Sequence, residues 1–179
     1  MSVVRGPYGE ALFWRYKWVS KYCKGLDVLD IPCGMGWGTS LLKRARSVVG
    51  VDIDSDAVAE ARRRYGRRAT FLVGDMRNLE FKSNSFDVVS CLEGIEHVPA
   101  DVAKLFVMEA VRVLRPTGLL FLSSPYCLTK EHSGNPYHLK EYKKKEITEL
   151  ITPKFRIIEE IDRKVDNLMV CYFQTRKLL

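Results

Sequence analysis

Apolar positions along the chain recur at two spacings, one helical and one continuous, and together they predict an alternation of helices and buried strands. From Gly9 to Cys23, Leu12, Tyr16 and Val19 follow helical intervals with Phe13 and Trp14 beside them, which predicts an N-terminal helix. Asp27 to Ile31 reads as a first strand and Gly38 to Arg44 as its helix. Ser47 to Val51 is a second apolar run ending at Asp52, after which Ser55 reads as the cap of a helix through Tyr65, with Ala57, Val58 and Ala61 on one side. Thr70 to Val73 is a short strand ending at Gly74 and Asp75. Phe86 to Leu92 is a continuous apolar strand ending at Glu93. Asp101 to Leu114 is an amphipathic helix stopped by Pro116 and Gly118, and Leu119 to Ser123 is a fifth strand closed by Pro125. Lys143 to Ile151 predicts a helix. Phe155 to Ile161 and Leu168 to Thr175 predict two last strands, whose short connection, Asp162 to Asn167, implies an antiparallel pair at a sheet edge.

Strands that are apolar throughout suit a parallel sheet covered on both faces, so the alternation predicts an α/β architecture. At 179 residues the chain is expected to form a single domain, residues 1–179, with residues 1–25 as a helix over the mouth of a ligand site. Residues 126–142 are polar, contain Gly134 and Pro136 and lack periodicity. A loop of that length in a compact domain is expected to be a lid or a substrate-binding segment.

Composition narrows the class without naming it. A hydrophobic fraction of 46% with 28% charged residues is that of an ordinary globular chain, and no apolar run is long enough for membrane insertion. The opening MSVVRGPYGE carries no apolar signal core, so the expectation is a cytoplasmic protein. The five cysteines (Cys23, Cys33, Cys91, Cys127 and Cys171) are odd in number and widely spaced without a CxxC pair, and read as reduced core residues. The net charge of +7 gathers around Arg62, Arg63, Arg64, Arg67, Arg68 and around Lys140, Lys143, Lys144, Lys145. Such runs can mark a polyanion surface, but on helices the solvated face is the favoured reading.

Candidate chemistry begins with VLDIPCGMGWGTSLL, which opens at Val28: a buried strand ending in an acid, a glycine-rich turn, then a helix start. Glycines at 34, 36 and 38 permit positive φ and close approach of a ligand. A dinucleotide fingerprint would place its third glycine at position 39, where Thr39 stands. Asp30 at the strand mouth would repel a pyrophosphate but suits a ligand bearing an ammonium and a sulfonium. S-adenosylmethionine is such a ligand, and Asp30 and Thr39 together disfavour a dehydrogenase.

The segments VLDIPCGMGWG, VVGVDID, FLVGDM, FDVVSCLEGIEHV and EAVRVLRPTGLLFLSSP, in this order and spacing, resemble those of class I S-adenosylmethionine-dependent methyltransferases over nearly the whole chain. The resemblance implies a three-layer Rossmann-like fold, a seven-stranded mostly parallel sheet of order 3-2-1-4-5-7-6 with strand 7 antiparallel, and cofactor across the ends of the first and fourth strands. The switch-point rule for open α/β sheets places it there too. Carried over residue by residue, Asp52 accepts from both ribose hydroxyls; its alternative, a helix cap, is weakened by Ser55. Ile53 packs on the adenine. Asp75 accepts from the adenine amino group, or is simply a turn residue after Gly74, and the Met76 N–H donates to the ring. Asp30 and the backbone around Cys33, Gly34, Gly36 and Cys91 hold the methionine end, with Tyr8 and Arg15 near its carboxylate.

A sulfonium methyl is already activated, so the acceptor sets the chemical demand. Glu93, Glu96 and His97 follow the fourth strand and share one face of a helical turn. The string E-x-x-E-H resembles both the O-methyltransferases of ubiquinone biosynthesis and the enzymes that methylate the terminal 2′-hydroxyl of small RNAs. In the RNA group two Glu and two His hold a divalent metal. Carried over, Glu93, Glu96, His97 and His138 form that site, for Mg or Mn, with Fe, Co or Zn at least as well suited to a mixed N and O set. Otherwise His97 acts alone as a general base or only bonds to backbone; His132 is a weaker candidate. The tyrosines at 126, 137 and 142 suit a sugar, a phenol or a lipid head group. The favoured function is O-methylation of a small-molecule or glycan-type hydroxyl. An RNA acceptor is the alternative, disfavoured because the basic runs lack interleaved aromatics. A non-catalytic S-adenosylmethionine-binding partner protein is the alternative of another class. Oligomeric state is not predicted.

Overall fold

The computed structural model describes residues 7–126, 134–165 and 168–179. Seven strands form one sheet of order β3-β2-β1-β4-β5-β7-β6. They are β1 Asp27–Asp30, β2 Ser47–Asp52, β3 Thr70–Val73, β4 Phe86–Leu92, β5 Leu114–Tyr126, β6 Phe155–Val165 and β7 Leu168–Lys177. The first five pair in parallel, and β7 is antiparallel to both β5 and β6. The helices are α1 Pro7–Ser20, α2 Ser55–Tyr65, α3 Ala100–Val113 and α4 Lys144–Ile151. This is the expected three-layer Rossmann-like fold with its reversed last strand.

The continuous apolar strands have a direct explanation in the two-sided burial of the sheet. Val28, Val48, Val88 and Phe121 join Tyr16, Trp18 and Val19 of α1 in one core, while Leu29, Val89, Leu120 and Leu122 join Ala103, Phe106, Val107 and Ala110 of α3 and Ile147 and Ile151 of α4 in the other. Successive strand residues point to opposite faces, so both must be apolar. On the α1 side the contacts are aromatic. Trp18 meets Phe121 edge-on at 5.0 Å, Trp14 meets Tyr172 at 5.0 Å, and the Trp18 indole N–H donates to Glu159 at 3.1 Å.

Several boundaries differ from those predicted. The helix expected over Gly38 to Arg44 is only a 3-10 turn, Thr39–Leu41. Thr39 and Ser40 spend their hydroxyls on Asp30 and on the Trp37 carbonyl, and such bonds compete with helix propagation. The cap of α2 is Asp54, whose carboxylate accepts from the Asp56 and Ala57 N–H groups, and Ser55 is the first helical residue. Helix α3 ends at Val113 and β5 begins at once. The Pro116 to Gly118 segment, read as a break, is absorbed in a bulge where the pairing jumps from Phe86↔Leu114 to Val88↔Leu119, with Thr117 at φ 63°. Strands β6 and β7 extend to a Val165↔Leu168 pair, so Asp162 lies within β6 and not in the connection.

Cys23, Cys33, Cys91 and Cys171 are buried and unbridged, as the spacing suggested. Cys127 and His132 fall outside the described residues, as does most of the front half of the expected lid. Among the described residues no helix is long and apolar enough to cross a membrane.

Candidate functional site

The C-terminal ends of β3, β2, β1 and β4, with α1 above them, enclose a cavity of about 750 Å³. It lies at the switch point between β1 and β4, where chain order reverses. Each strand end delivers one part of the wall: Pro32, Cys33 and Gly34 after β1, Asp52 and Ile53 at β2, Asp75 and Met76 after β3, and Glu93 and His97 after β4. From α1 come Leu12, Arg15 and Tyr16. Helix α1 thus borders the cavity through these three side chains. Tyr8 has no described side chain.

The wall is already organised on the β1 and β2 side. Gly34, at φ 50°, turns its N–H to Asp52 Oδ2 at 2.7 Å, while Asp52 Oδ1 accepts from the Asp54 N–H at 3.1 Å. Asp52 is only 8% exposed, so it is a clamp on the glycine turn as well as a cavity residue. Ile53 is 69% exposed, an apolar surface at the cavity edge. Asp75 accepts the Arg77 N–H at 2.8 Å and pairs with the Arg77 guanidinium, which holds its carboxyl below the usual range. Gly36 does not line the cavity. Its φ of 76° and the 2.7 Å approach of Ala61 and Phe71 to where a Cβ would stand make it a packing glycine.

Asp30 departs most from expectation. It is fully buried and absent from the cavity wall, and its oxygens accept from Thr39 Oγ1 (2.6 Å), Ser90 Oγ (2.6 Å) and the Tyr16 hydroxyl (3.1 Å). Burial pushes its carboxyl up to about 6, against the pull of these hydroxyls and of Arg15. These three hydroxyls, and not the cavity, surround the carboxylate. Cys91 is likewise buried behind the wall, and burial raises its thiol well above the ordinary range.

Beyond β4 the four residues of the expected metal set do not converge as one group. Glu93, at φ 57°, is held by Ser123: its N–H donates to Ser123 O at 3.0 Å, and the Ser123 hydroxyl donates to Glu93 Oε1 at 2.8 Å. Arg15 Nη1 stands 3.5 Å from the same oxygen. Glu96 sits in the 3-10 turn Ile95–His97, 1% exposed, and burial, then the charge of Glu93, raises its carboxyl well above the usual range. Glu96, His97 and His138 each bring one ligand-type atom within 4.8 Å of one another, and Glu93 is not among them.

The histidine hydrogen bonds decide the fit to a metal. His97 Nδ1 is 2.8 Å from the Tyr137 carbonyl, an acceptor only, so Nδ1 carries a proton and, in the neutral ring, Nε2 is the atom with the lone pair. His138 Nδ1 meets the Glu141 carboxylate at 2.6 Å and its Nε2 meets the Asn135 amide nitrogen at 3.0 Å. The Tyr137 N–H donates to Asn135 Oδ1, which orients that amide. Both His138 nitrogens are thus engaged, and the ligand atoms left open among the described residues are His97 Nε2 and Glu96 Oε2. As arranged, these residues fit a hydrogen-bonded site better than a coordination sphere. The back half of the expected lid is docked here, because the Leu139 and Lys140 N–H groups both donate to the Glu96 carbonyl.

Sequence reasoning missed Asn135, Glu141 and Arg77. Glu141 lies three residues after His138 and Arg77 two after Asp75, spacings that carry meaning only once the local backbone is known. The hydroxyls of Thr39 and Ser90 gave no signal at all.

A family model described as a methyltransferase domain matches residues 28–118. A protein of Mycolicibacterium smegmatis named "Probable S-adenosylmethionine-dependent methyltransferase" is 38% identical over 141 residues, 76% of this chain and 54% of that protein. A fatty-acid O-methyltransferase of the same organism is 35% identical over 99 residues, 53% of this chain and 35% of its own length. The chain spans about half the length of the first curated relatives it matches. Among solved structures, the N-methyltransferase NodS of Bradyrhizobium japonicum, in complex with S-adenosylhomocysteine, superposes with a TM-score of 0.83 at 16% identity, covering 99% of this chain and 91% of that one, a likeness of fold.

Proposed function

Because the chain belongs to the class I S-adenosylmethionine-dependent methyltransferases, we propose that it methylates the oxygen of a small-molecule or glycan-type hydroxyl, with His97 as the general base. The observation that carries this reading is the 2.8 Å contact between His97 Nδ1 and the Tyr137 carbonyl: a carbonyl only accepts, so the neutral ring carries its proton on Nδ1 and leaves Nε2 able to accept one at the wall of the cavity. An oxygen acceptor needs such a base, since its hydroxyl loses a proton as the oxygen–carbon bond forms, whereas a neutral amine does not. The fatty-acid O-methyltransferase relative adds support for oxygen as the acceptor atom.

The cofactor, when bound, supplies a methyl on a sulfonium, and displacement places the bonding electron pair on sulfur. Asp52, in the cavity wall, would take the ribose hydroxyls, Ile53 would cover the adenine, and Asp75 with the Met76 N–H would read its edge. Arg15, in the roof, draws the carboxylate of the amino-acid end. On the other side His97 Nε2 receives the acceptor proton, and Glu96 Oε1, 4.0 Å away, lies beside the imidazolium that results. Residues 134–142, tied to the Glu96 carbonyl by the Leu139 and Lys140 N–H groups, lie next to His97 outside the cavity lining, with Tyr137 and Leu139 exposed, and this contact with His97 is what supports an acceptor-side role for them. No step here runs through a metal.

Titration with S-adenosylhomocysteine and, separately, NAD tests the first part of the reading. Micromolar binding of the former and none of the latter is expected, and the reverse removes the methyltransferase assignment. Turnover with a panel of hydroxyl, amine and RNA acceptors tests the second. Activity restricted to amines or RNA would overturn it.

A further inference from the structure

Four elements meet at a carboxylate that the cavity does not contain. Asp30, at the end of β1, receives hydroxyls from Tyr16 on α1, Thr39 in the 3-10 turn and Ser90 on β4. Of these donors only Tyr16 lines the cavity. Its ring packs against Gly38, where an added Cβ would stand 2.0 to 2.6 Å from the ring atoms, so glycine there is what lets the tyrosine reach the acid. Helix α1 is anchored at its far end by the Trp18 and Phe121 contact, while Leu12, Arg15 and Tyr16 project over the cavity. Tyr16 therefore sits between the anchored and the overhanging parts of the helix.

We propose that Asp30 is a positioning residue that latches the roof of the cofactor cavity: by accepting from Tyr16 and Thr39 it sets the height of α1 and the path of the glycine turn, and it does not contact the ligand. The proposal rests on the reading that the cavity takes S-adenosylmethionine, and it reverses the direct electrostatic role that the strand-end acid suggested. A direct role and a latch make opposite forecasts. An acid facing the sulfonium would favour the charged S-adenosylmethionine over the uncharged thioether of S-adenosylhomocysteine, and its removal would erase that preference. A latch serves both ligands equally, and its removal is copied by deleting the hydroxyls that point at it.

The test is calorimetric and kinetic binding of both ligands to Asp30→Asn, Tyr16→Phe, Thr39→Val, the double variant Tyr16→Phe/Thr39→Val, and the triple variant adding Asp30→Asn. Tyr16→Phe keeps the ring over Gly38, and Thr39 lies outside the cavity, so Thr39→Val reports on the latch without touching ligand. The double variant should weaken both ligands by a common factor, about tenfold for the loss of two hydrogen bonds, and chiefly through faster dissociation. Adding Asp30→Asn should cause little further loss, because the three groups act as a unit. Asp30→Asn alone keeps a carbonyl acceptor and should lie nearer wild type. Hydrogen exchange over residues 9–17 should quicken in the double variant with the strands unchanged. The proposal is overturned if Asp30→Asn weakens S-adenosylmethionine selectively, or if Thr39→Val and the double variant bind as wild type does. Failure of wild-type protein to bind either ligand would instead remove the methyltransferase reading.

Discussion

Replacing Asp52 probes both the ligand and the scaffold, and the two consequences separate cleanly. In the free protein its carboxylate accepts the Gly34 N–H at 2.7 Å and the Asp54 N–H at 3.1 Å, so Asp52→Ala strips two backbone donors of their acceptor. Leaving such groups unsatisfied costs roughly 1 to 3 kcal/mol, and in a chain of this size each kcal/mol moves the midpoint by about 2 to 4 °C. A fall of roughly 2 to 12 °C is therefore expected without ligand. The ribose contacts proposed for Asp52 predict a separate loss of about 1.5 to 3 kcal/mol, or roughly 10- to 150-fold in Kd for S-adenosylhomocysteine. Asp52→Asn sharpens the comparison, because its NH₂ faces an N–H donor on one side while its carbonyl still serves the other. It should lose nearly as much binding as alanine. Thermal melts with and without ligand, paired with calorimetric titration, measure both terms. Wild-type affinity in Asp52→Ala would place the ribose elsewhere, and an unchanged midpoint would show that the Gly34 turn does not depend on this acid.

Three further outcomes are expected. His97→Ala should lower kcat by about 10²- to 10⁴-fold with cofactor affinity intact, and chelator should leave wild-type turnover unchanged; chelator-sensitive activity restored by Mn or Mg would reinstate the metal site. The raised Asp30 carboxyl gives a definite sign. Between the ordinary carboxylate range and about 6 the folded state holds a proton that the unfolded state has lost, so this residue's contribution is full in acid and is lost as pH rises through about 6. Urea midpoints of Asp30→Asn relative to wild type should therefore climb from pH 4 to pH 7, with Arg15 and Tyr16 from α1 and the buried Cys23, Cys33 and Cys91 thiols as the titratable neighbours common to both proteins. A flat difference would refute the assignment. Finally, the Tyr142 hydroxyl is buried with no hydrogen-bond partner among the described residues, so Tyr142→Phe should melt slightly higher than wild type, and a loss above 1 °C would reveal a missed partner.

The alternation of strands and helices was legible in apolar runs closed by an acid and followed by a turn, whereas the strand order came only from the resemblance of five segments to a known family, and the cavity position from that resemblance together with the switch-point rule. Asp52 and Ile53 could be placed because they sit at a strand tip whatever the packing. Asp30 could not. Its meaning depends on Tyr16, fourteen residues earlier, and on Ser90, sixty later, and only the closed sheet brings those hydroxyls to it. The short turn at Thr39–Leu41 escaped because helical spacing is visible in a sequence, while the hydroxyl bonds that end it are not. The same limit hid the turn of Glu93 toward Ser123, which took it out of the group formed by Glu96, His97 and His138.

The clamp of Ser123 on Glu93 and the clamp of Asp52 on Gly34 share no residue and no strand: one joins β4 to β5, the other β2 to the turn after β1. The two sides of the cavity can therefore change independently over evolutionary time. A substitution at Ser123, deep in the core, re-aims an acid on the acceptor side without disturbing the glycine turn, whereas drift at Gly34 or Asp52 disturbs the turn itself. A scaffold divided in this way can exchange one acceptor for another by altering few positions, and its inherited half would stay recognisable long after its acceptors had diverged.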